Sequence, residues 1–175
     1  MKKFLVGLLL VFFVGCAVNN MGTPTNKVEE LLKKYKNEDS TIITQLEQAL
    51  ASESMTSLQK QRYQNLMKKQ YSNMAYTIKN EKIDGDNAIV TVDVMVYDYA
   101  TTNNAVNNYL ENYPDEFHEG DLFNNEVFQD YRISELEKVT SRKTYTIDFT
   151  LTKKDGNWVA DPLTEIERKK LHGVF

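Results

Sequence analysis

The sequence predicts an α+β domain in which N-terminal helices pack on one face of a curved antiparallel sheet, with a helical insertion between two hairpins. Residues 144–152 alternate polar and apolar side chains, as a half-buried strand does, and the tight-turn dipeptide Asp155-Gly156 leads into a returning strand. Residues 76–96 repeat this pattern around Asp84-Gly85. Upstream, apolar residues recur at helical spacing instead. Each hairpin therefore has one apolar face, which the helices can cover.

The first fifteen residues are typical of a signal peptide. Two lysines precede an apolar run, residues 4–14, that is shorter than the about 20 residues needed to cross a bilayer. Residues 13–16, Phe-Val-Gly-Cys, resemble the lipobox of bacterial lipoproteins. The resemblance implies cleavage between Gly15 and Cys16 and a lipid on the Cys16 sulfur. Ordinary secretion is the alternative, because Gly15-Cys-Ala17 also approximates a small-x-small cleavage site.

Cys16 is the only cysteine, so an exported domain would have no internal disulfide and would depend on its core for stability. We predict a lipidated cysteine with a short tether over residues 16–22 and a single domain over residues 23–175. Two acyl chains are enough for stable anchoring. The predicted location is therefore the outer face of the cell membrane, and richness in Lys, Asn and Tyr favours a Gram-positive source.

The charge of the mature chain bears on its partners. Loss of residues 1–15 removes two of the 21 basic side chains, which leaves 19 against 25 acidic ones, a net charge of −6. An acidic chain argues against nucleic acid as a partner. The partners expected are the membrane, through the lipid on Cys16, and an unknown protein or small molecule. A homodimer through the outer sheet face is a further prediction.

The helices follow from capping and spacing. Thr23-Pro24 suits the N-cap and first position of a helix with an apolar stripe through Tyr35. A second amphipathic helix spans about residues 42–50, and Thr56-x-x-Gln59 is a capping-box pattern that opens a third.

The C-terminal half is less regular. Residues 101–139 suggest two helices, the first of which ends before Pro114. An acidic loop, residues 115–121, lies between them. Either Asp161-Pro162 or Thr164-x-x-Glu167 would cap a final helix through Leu171.

This order of elements is similar to that of extracytoplasmic lipoproteins of the nuclear-transport-factor-2-like (cystatin-like) superfamily. The likeness covers about residues 23–171 and rests on capping, patterning and turn features. The quoted segments are Thr23-Pro24…Val28-Glu-x-Leu-Leu-x-x-Tyr35, Tyr76…Asp84-Gly-Asp-x-Ala-x-Val-x-Val94 and Tyr145…Leu151…Gly156-x-Trp-Val159. The resemblance implies a cystatin-like roll with a cone between sheet and helices. The insertion is longer than in simple members.

The enzymes of that superfamily keep an Asp or His inside the cone. Here the strand residues expected to line it are apolar or aromatic, while Asp93 and Asp148 fall on the opposite face by parity. We therefore predict no catalytic residue and no cofactor. The side chains expected to line either a small pocket or a filled core are Tyr35, Val92, Val94, Tyr145, Phe149 and Trp158.

Neither histidine predicts a metal site or a catalyst. His118-Glu119 starts like a zinc-protease helix, but no second histidine follows at the required spacing. With its acidic neighbours His118 could offer ligands to a cation, yet a solvated loop explains the stretch. His172 follows the expected final helix, where a C-terminal cation or plain exposure accounts for it.

These features favour a non-catalytic, membrane-anchored binding or interaction module. An isomerase- or dehydratase-like enzyme on the same fold is the first alternative, and a structural subunit of an envelope or conjugation complex is the second. An interior cavity holding an Asp or His would favour the enzyme. A filled cone with an exposed aromatic patch would favour the binding module.

Overall fold

The computed structural model describes residues 22–175, so the predicted signal peptide, the Gly15–Cys16 cleavage site and most of the tether lie outside the described residues. Residues 22–175 form the following elements: α1 (Pro24–Lys36), α2 (Ser40–Ala51), α3 (Ser57–Ser72), β1 (Ala75–Asp84), β2 (Asn87–Tyr97), α4 (Tyr99–Asn112), a 3₁₀ turn (Pro114–Phe117), β3 (His118–Glu119), β4 (Leu122–Phe123), α5 (Asn125–Glu137), β5 (Arg142–Lys154), β6 (Asn157–Ala160) and α6 (Glu165–His172). None of these helices is long and apolar enough to cross a bilayer.

Local capping chemistry sets the helix starts. The Thr23 hydroxyl accepts the Asn26 N–H at 3.2 Å, with Pro24 in the first turn, as predicted. Thr56 and Gln59 form a reciprocal capping box at the start of α3. Of the two caps proposed for α6, Thr164 is the correct one. Its hydroxyl accepts from the Glu167 N–H while the Glu167 carboxylate accepts from the Thr164 N–H.

The two long hairpins form one antiparallel sheet in the order β1-β2-β5-β6. Its central pair is β2 and β5, in register with Val92 opposite Ile147. Along both strands buried residues alternate with more exposed ones, because successive side chains point to opposite faces. The predicted α+β class, with a helical insertion between two hairpins, is confirmed.

Strand β1 lies at one edge of the sheet. Its register shifts between Ile78 and Asn80, an irregularity of the bulge type that bends a strand locally. Only Tyr76 and Ile78 of this strand are partly buried, and its remaining side chains are exposed.

The inner face of the sheet is covered by α1, α3 and α6. Val28 and Leu32 of α1 and Leu171 of α6 are fully buried against it. They belong to one continuous apolar cluster that includes the inner side chains of β2 and β5. The space between helices and sheet is therefore filled with side chains.

A buried glutamine joins α3, β2 and the end of α6. Gln70 is 1% exposed. Its Oε1 accepts the Tyr97 N–H at 2.8 Å, while its Nε2 donates to the carbonyl oxygens of Tyr97 at 3.1 Å and His172 at 2.9 Å. Gly173 follows in the left-handed conformation, with φ of 70°, and closes α6 as its C-cap. We call this arrangement the Gln70 clamp.

The insertion between β2 and β5 contains more structure than the sequence indicated. The acidic stretch predicted as a loop is part of the 3₁₀ turn and of a two-strand hairpin, β3-β4, which together span residues 114–123, and the hairpin reverses at Gly120 with φ of 61°. Helices α4 and α5 pack on each other, and α5 also packs on α3. Phe117 and Ile133 are buried within this part of the molecule.

The start of α1 and the insertion lie toward opposite ends of the sheet. The Thr25 N–H and hydroxyl both donate to the Glu81 carboxylate, at 2.8 and 2.6 Å, and Glu81 pairs with Val90. The insertion leaves the sheet after Tyr97, seven residues further along β2. Because a strand rises about 3.3 Å per residue, the two points are about 23 Å apart.

Candidate functional site

Most of the side chains predicted to line a pocket or core lie in the packed interior. Val92, Val94, Tyr145 and Phe149 are buried on the inner sheet face, and the Tyr145 hydroxyl donates to the Phe175 carbonyl oxygen at 2.6 Å. The carboxylates of Asp93 and Asp148 lie on the outer face, where they accept hydrogen bonds from Thr146 (2.7 Å) and Thr91 (2.6 Å).

Trp158 lies at the edge of that interior. It is 8% exposed and sits beneath α1, and the Lys153 ammonium lies 5.6 Å from its ring centroid. A groove of about 410 Å³ remains between α1 and β6, lined by Trp158, Leu31 and Lys34 among others. This groove opens to the surface rather than into the interior. One part of the Trp158 ring therefore packs in the core, and another part forms the wall of the groove.

A second cavity, which we call the helical pocket, lies among α1, α2, α3 and α6 and has a volume of about 270 Å³. Its lining combines the apolar faces of α1 and α2, including Tyr35, Ile42 and Leu46, with polar groups from α6. Of the predicted lining residues, Tyr35 is the one that this pocket contains. The pocket is bounded by helices rather than by the sheet.

His172 lies in the wall of the helical pocket, which corrects the expectation that it is an exposed or cationic residue. One ring nitrogen, Nε2, shares a hydrogen bond of 3.0 Å with the Tyr71 hydroxyl, with donor and acceptor set by the imidazole tautomer. Burial, assisted by the nearby Arg168 guanidinium, lowers the pKa of His172 from 6.5 to about 4. The imidazole is therefore neutral at neutral pH, and burial also raises the pKa of the Tyr71 hydroxyl.

The sequence contained a signal for this position. Helix α6 runs one residue further than predicted, to His172, which places His172 four residues after Arg168 and next to buried Leu171. Residues four apart lie on the same face of a helix. Extending the helix by one residue would have placed His172 on the same helix face as Arg168 and beside the core residue Leu171.

Charge at the mouth of the helical pocket is positive. The Glu165 and Lys169 side chains form an ion pair at 2.6 Å. Arg168 donates from Nη1 to the Leu163 carbonyl oxygen at 2.6 Å, and within residues 22–175 no carboxylate forms an ion pair with it. An adjoining groove of about 470 Å³ shares Arg168 and Tyr35 with the pocket and adds Lys34.

A different surface lies on the insertion. Four large apolar or aromatic side chains, which we call the distal patch, are between 45% and 76% exposed: Tyr113, Leu122, Phe123 and Val127. Behind them a layer of packed rings supports the surface. Phe117 is buried edge-to-face against Phe128 with centroids 5.4 Å apart, and Phe123 lies 5.8 Å from the same ring. The distal patch is therefore supported by packed aromatic side chains.

The acidic stretch, residues 115–121, lies in the same turn and hairpin as part of this patch. His118 donates from Nδ1 to the Pro114 carbonyl oxygen at 2.6 Å, and its ring lies edge-on to Phe123. The Glu116 carboxylate accepts from the Tyr109 hydroxyl at 2.9 Å, which raises the pKa of that tyrosine. Across residues 22–175 the structure brings together no group of three His, Cys, Asp or Glu side chains suited to a metal ion.

The fold and these surfaces define an α+β domain with a filled interior, a small pocket among its helices and an exposed aromatic surface on its insertion. No protein-family model and no curated protein matches the sequence. Among solved structures, the chain is similar to ycdA, described as a "putative lipoprotein" of Bacillus subtilis, at 18% sequence identity and a TM-score of 0.43. The match covers 88% of this chain and 47% of that protein, so the chain spans about half its length. A likeness this distant assigns no function.

Proposed function

We propose that the protein is a lipid-anchored extracytoplasmic interaction module of the nuclear-transport-factor-2-like class, without catalytic activity, whose distal patch binds a partner protein. The observation that carries the proposal is the contrast between the two apolar regions. The interior beside the sheet is filled, whereas the distal patch exposes large apolar side chains on a packed base. A cluster of exposed apolar side chains with a polar rim is typical of an interaction surface.

Charge indicates the kind of partner. The exposed carboxylates of Asp115, Glu116, Glu119 and Asp121 adjoin the patch in the 3₁₀ turn and the β3-β4 hairpin. Complementary charge favours the encounter and suppresses wrong partners. We therefore propose that the partner presents a segment of apolar and basic side chains.

Position favours a protein over the bilayer as the occupant of the patch. With the lipid on Cys16 and a tether that ends at residue 22, the start of α1 would lie close to the membrane. The insertion leaves the sheet about 23 Å from that point, by the rise of a strand. The acidic rim would also be repelled by anionic lipid headgroups. The patch would then face proteins above the membrane.

The anchor can be tested separately. Cells that express the wild-type chain or Cys16→Ser are labelled with a fatty-acid probe, and membrane and medium are analysed. We expect the wild-type protein to be labelled and membrane-bound, and the variant to be unlabelled. A labelled, membrane-bound Cys16→Ser product would refute lipidation at this residue. An unlabelled wild-type protein released into the medium would support ordinary secretion.

The distal patch can be tested by site-specific photo-cross-linking in the native host. A photoreactive residue replaces Phe123 or Tyr113, and Ile166, an exposed apolar residue on α6, is the matched control. We expect one discrete protein adduct at both patch positions and none at Ile166. The double variant Glu119→Lys/Asp121→Lys should weaken that adduct. Equal adducts at all three positions, or none at the patch, would refute the proposal.

The enzyme alternative has one observation in its favour, the Tyr71–His172 hydrogen bond in the wall of the helical pocket. A neutral imidazole next to a hydroxyl can act as a general base. The pair lies in a pocket bounded by helices, however, and not in the cone between sheet and helices where the resemblance places a catalytic Asp or His. The other alternative, a structural subunit of an envelope complex, would appear in the cross-linking experiment as an adduct with an envelope component.

A further inference from the structure

The helical pocket has the composition of a small-ligand site. Its apolar lining is formed by parts of Tyr35, Ile42 and Leu46, and its polar groups come mainly from α6, with Tyr71 of α3 and Gln45 of α2. Small-molecule sites combine a mostly apolar lining with a few placed polar groups. At about 270 Å³ the cavity is close to the lower limit of such sites, about 300 Å³. It suits a short ligand rather than a whole lipid.

The positive charge at the mouth of the pocket favours a negatively charged ligand. Glu165 is neutralised by Lys169 at 2.6 Å, whereas Arg168 has no ion-pair partner within residues 22–175. One of its terminal nitrogens is held by the Leu163 carbonyl oxygen, which fixes the side chain beside the pocket. A guanidinium binds carboxylate and phosphate groups in two-point geometry with its remaining donors.

The Tyr71–His172 pair adds an uncharged polar contact. Their hydrogen bond of 3.0 Å uses one ring nitrogen of the imidazole and the tyrosine hydroxyl. The pair can extend a hydrogen bond to a ligand oxygen without adding a charge that the pocket would have to solvate. Tyr35 packs edge-to-face on Tyr71 at 5.2 Å and holds that ring in place.

We propose that the helical pocket binds a small amphipathic anion, with its apolar part against Tyr35, Ile42 and Leu46 and its carboxylate or phosphate group at Arg168. Binding here does not depend on the distal patch or on its partner. Helix α2, which contributes Ile42, Leu46 and Ala49 to the lining, would cover the apolar part of the ligand.

The test uses the full lipidated chain in nanodiscs of deuterated lipid, with ligand binding followed by saturation-transfer difference NMR. The probes are octanoate, octyl phosphate, octanol and octylammonium, which share one chain and differ in the head group. We expect saturable binding of the anions, with the tighter of the two identifying the head group. Binding of octylammonium should be undetectable.

Three variants locate the site. Arg168→Gln should weaken anion binding about tenfold, the loss expected for a charged hydrogen bond, and leave octanol unchanged. Arg168→Glu should reverse the preference and admit octylammonium. Ala49→Trp, which places a ring in the cavity from an exposed position on α2, should remove binding of every probe. Lys143→Gln, which removes an exposed cation on β5 outside the pocket, is the control and should change nothing.

Each outcome decides the proposal. Anion binding that is equal in the wild type and Arg168→Gln would overturn it, as would binding that survives Ala49→Trp. Loss of binding in Lys143→Gln to the same extent as in Arg168→Gln would show a general charge effect and also overturn it. Thermal unfolding of each variant, expected within a few degrees of the wild type, shows that the fold is retained.

Discussion

Replacing Gly173 with Ala tests whether the Gln70 clamp holds the C-terminal helix to the sheet. Gly173 has φ of 70°, a conformation that costs an L-residue about 1–2 kcal/mol. A Cβ at this position would also overlap the Tyr97 carbonyl oxygen and the Gln70 Nε2 atom. The Tyr97 carbonyl belongs to the backbone of β2 and cannot easily shift. The chain after α6 or the Gln70 side chain must therefore move instead.

The size of the effect follows from what the movement breaks. Gln70 is 1% exposed and makes three hydrogen bonds, at 2.8, 2.9 and 3.1 Å. A buried polar group left without a partner costs about 1–3 kcal/mol. With the backbone cost included, we expect Gly173→Ala to lower the free energy of unfolding by about 2–5 kcal/mol. A domain has about 5–15 kcal/mol in total, so the loss would be severe.

Urea unfolding of residues 22–175, followed by circular dichroism and tryptophan fluorescence, gives the measurement. Gly120→Ala is the matched control, because Gly120 has φ of 61° but nothing lies within 4 Å of its Cβ position. That control should lose only the backbone cost, about 1–2 kcal/mol. A Gly173→Ala variant as stable as Gly120→Ala would show that neither the overlap nor the clamp matters.

Three further predictions concern the core, the buried imidazole and the surface. Trp158→Ala should lower the free energy of unfolding by about 3–5 kcal/mol, since it removes a buried ring, whereas Val159→Ala on the exposed side should cost less than about 1 kcal/mol. In a His118→Gln background, stability should fall as the pH drops from 6.5 toward about 4, because the unfolded chain protonates His172 while the folded chain does not. The loss should approach about 3 kcal/mol at most and vanish in His172→Gln. Arg62→Met, which removes ion pairs on the surface, should cost less than about 1 kcal/mol, and less still at high salt.

Each of these has an outcome that contradicts it, read from urea melts at fixed pH or across a pH series. A small loss for Trp158→Ala would mean that the ring contributes little to the packed core and serves mainly as the wall of the groove beside α1. If His172→Gln still lost stability as the pH fell, at pH values above those where carboxylates titrate, a group other than His172 would be responsible for that loss. A large loss for Arg62→Met would mean that its ion pairs with Asp130 and Glu137 behave as a buried network.

The sheet was predictable because its signal is local. Alternation along β2 and β5 fixes which side chains face inward, and Asp84-Gly85 and Asp155-Gly156 fix where the chain reverses. The starts of α1 and α3 were also predictable, since Thr23 and Thr56 bond to amides only three residues away.

The candidate sites were less predictable because they depend on contacts between distant segments. Gln70 and His172 lie 102 positions apart, and nothing near either one in the sequence predicts their hydrogen bond. The sequence of residues 115–121 predicts a solvated loop, because nothing in it shows that Phe117 packs against Phe128 and Tyr131 of α5. Local patterning therefore predicted the layers of the fold, while the pocket and the patch came from tertiary packing.

The exposed edge of strand β1 affects whether neighbouring copies of the protein associate. It is an edge strand of ten residues whose backbone could template pairing with a neighbour. Lys79, Lys82 and the register shift after Ile78 interrupt that edge, and charged, bulged edges resist strand addition. If lipid anchors confine many copies to one plane, the effective concentration of the protein rises steeply. An unprotected edge strand would then pair with the edge strands of neighbouring molecules and cause aggregation. In that case the interrupted edge would help a dense layer of these molecules to remain unassociated.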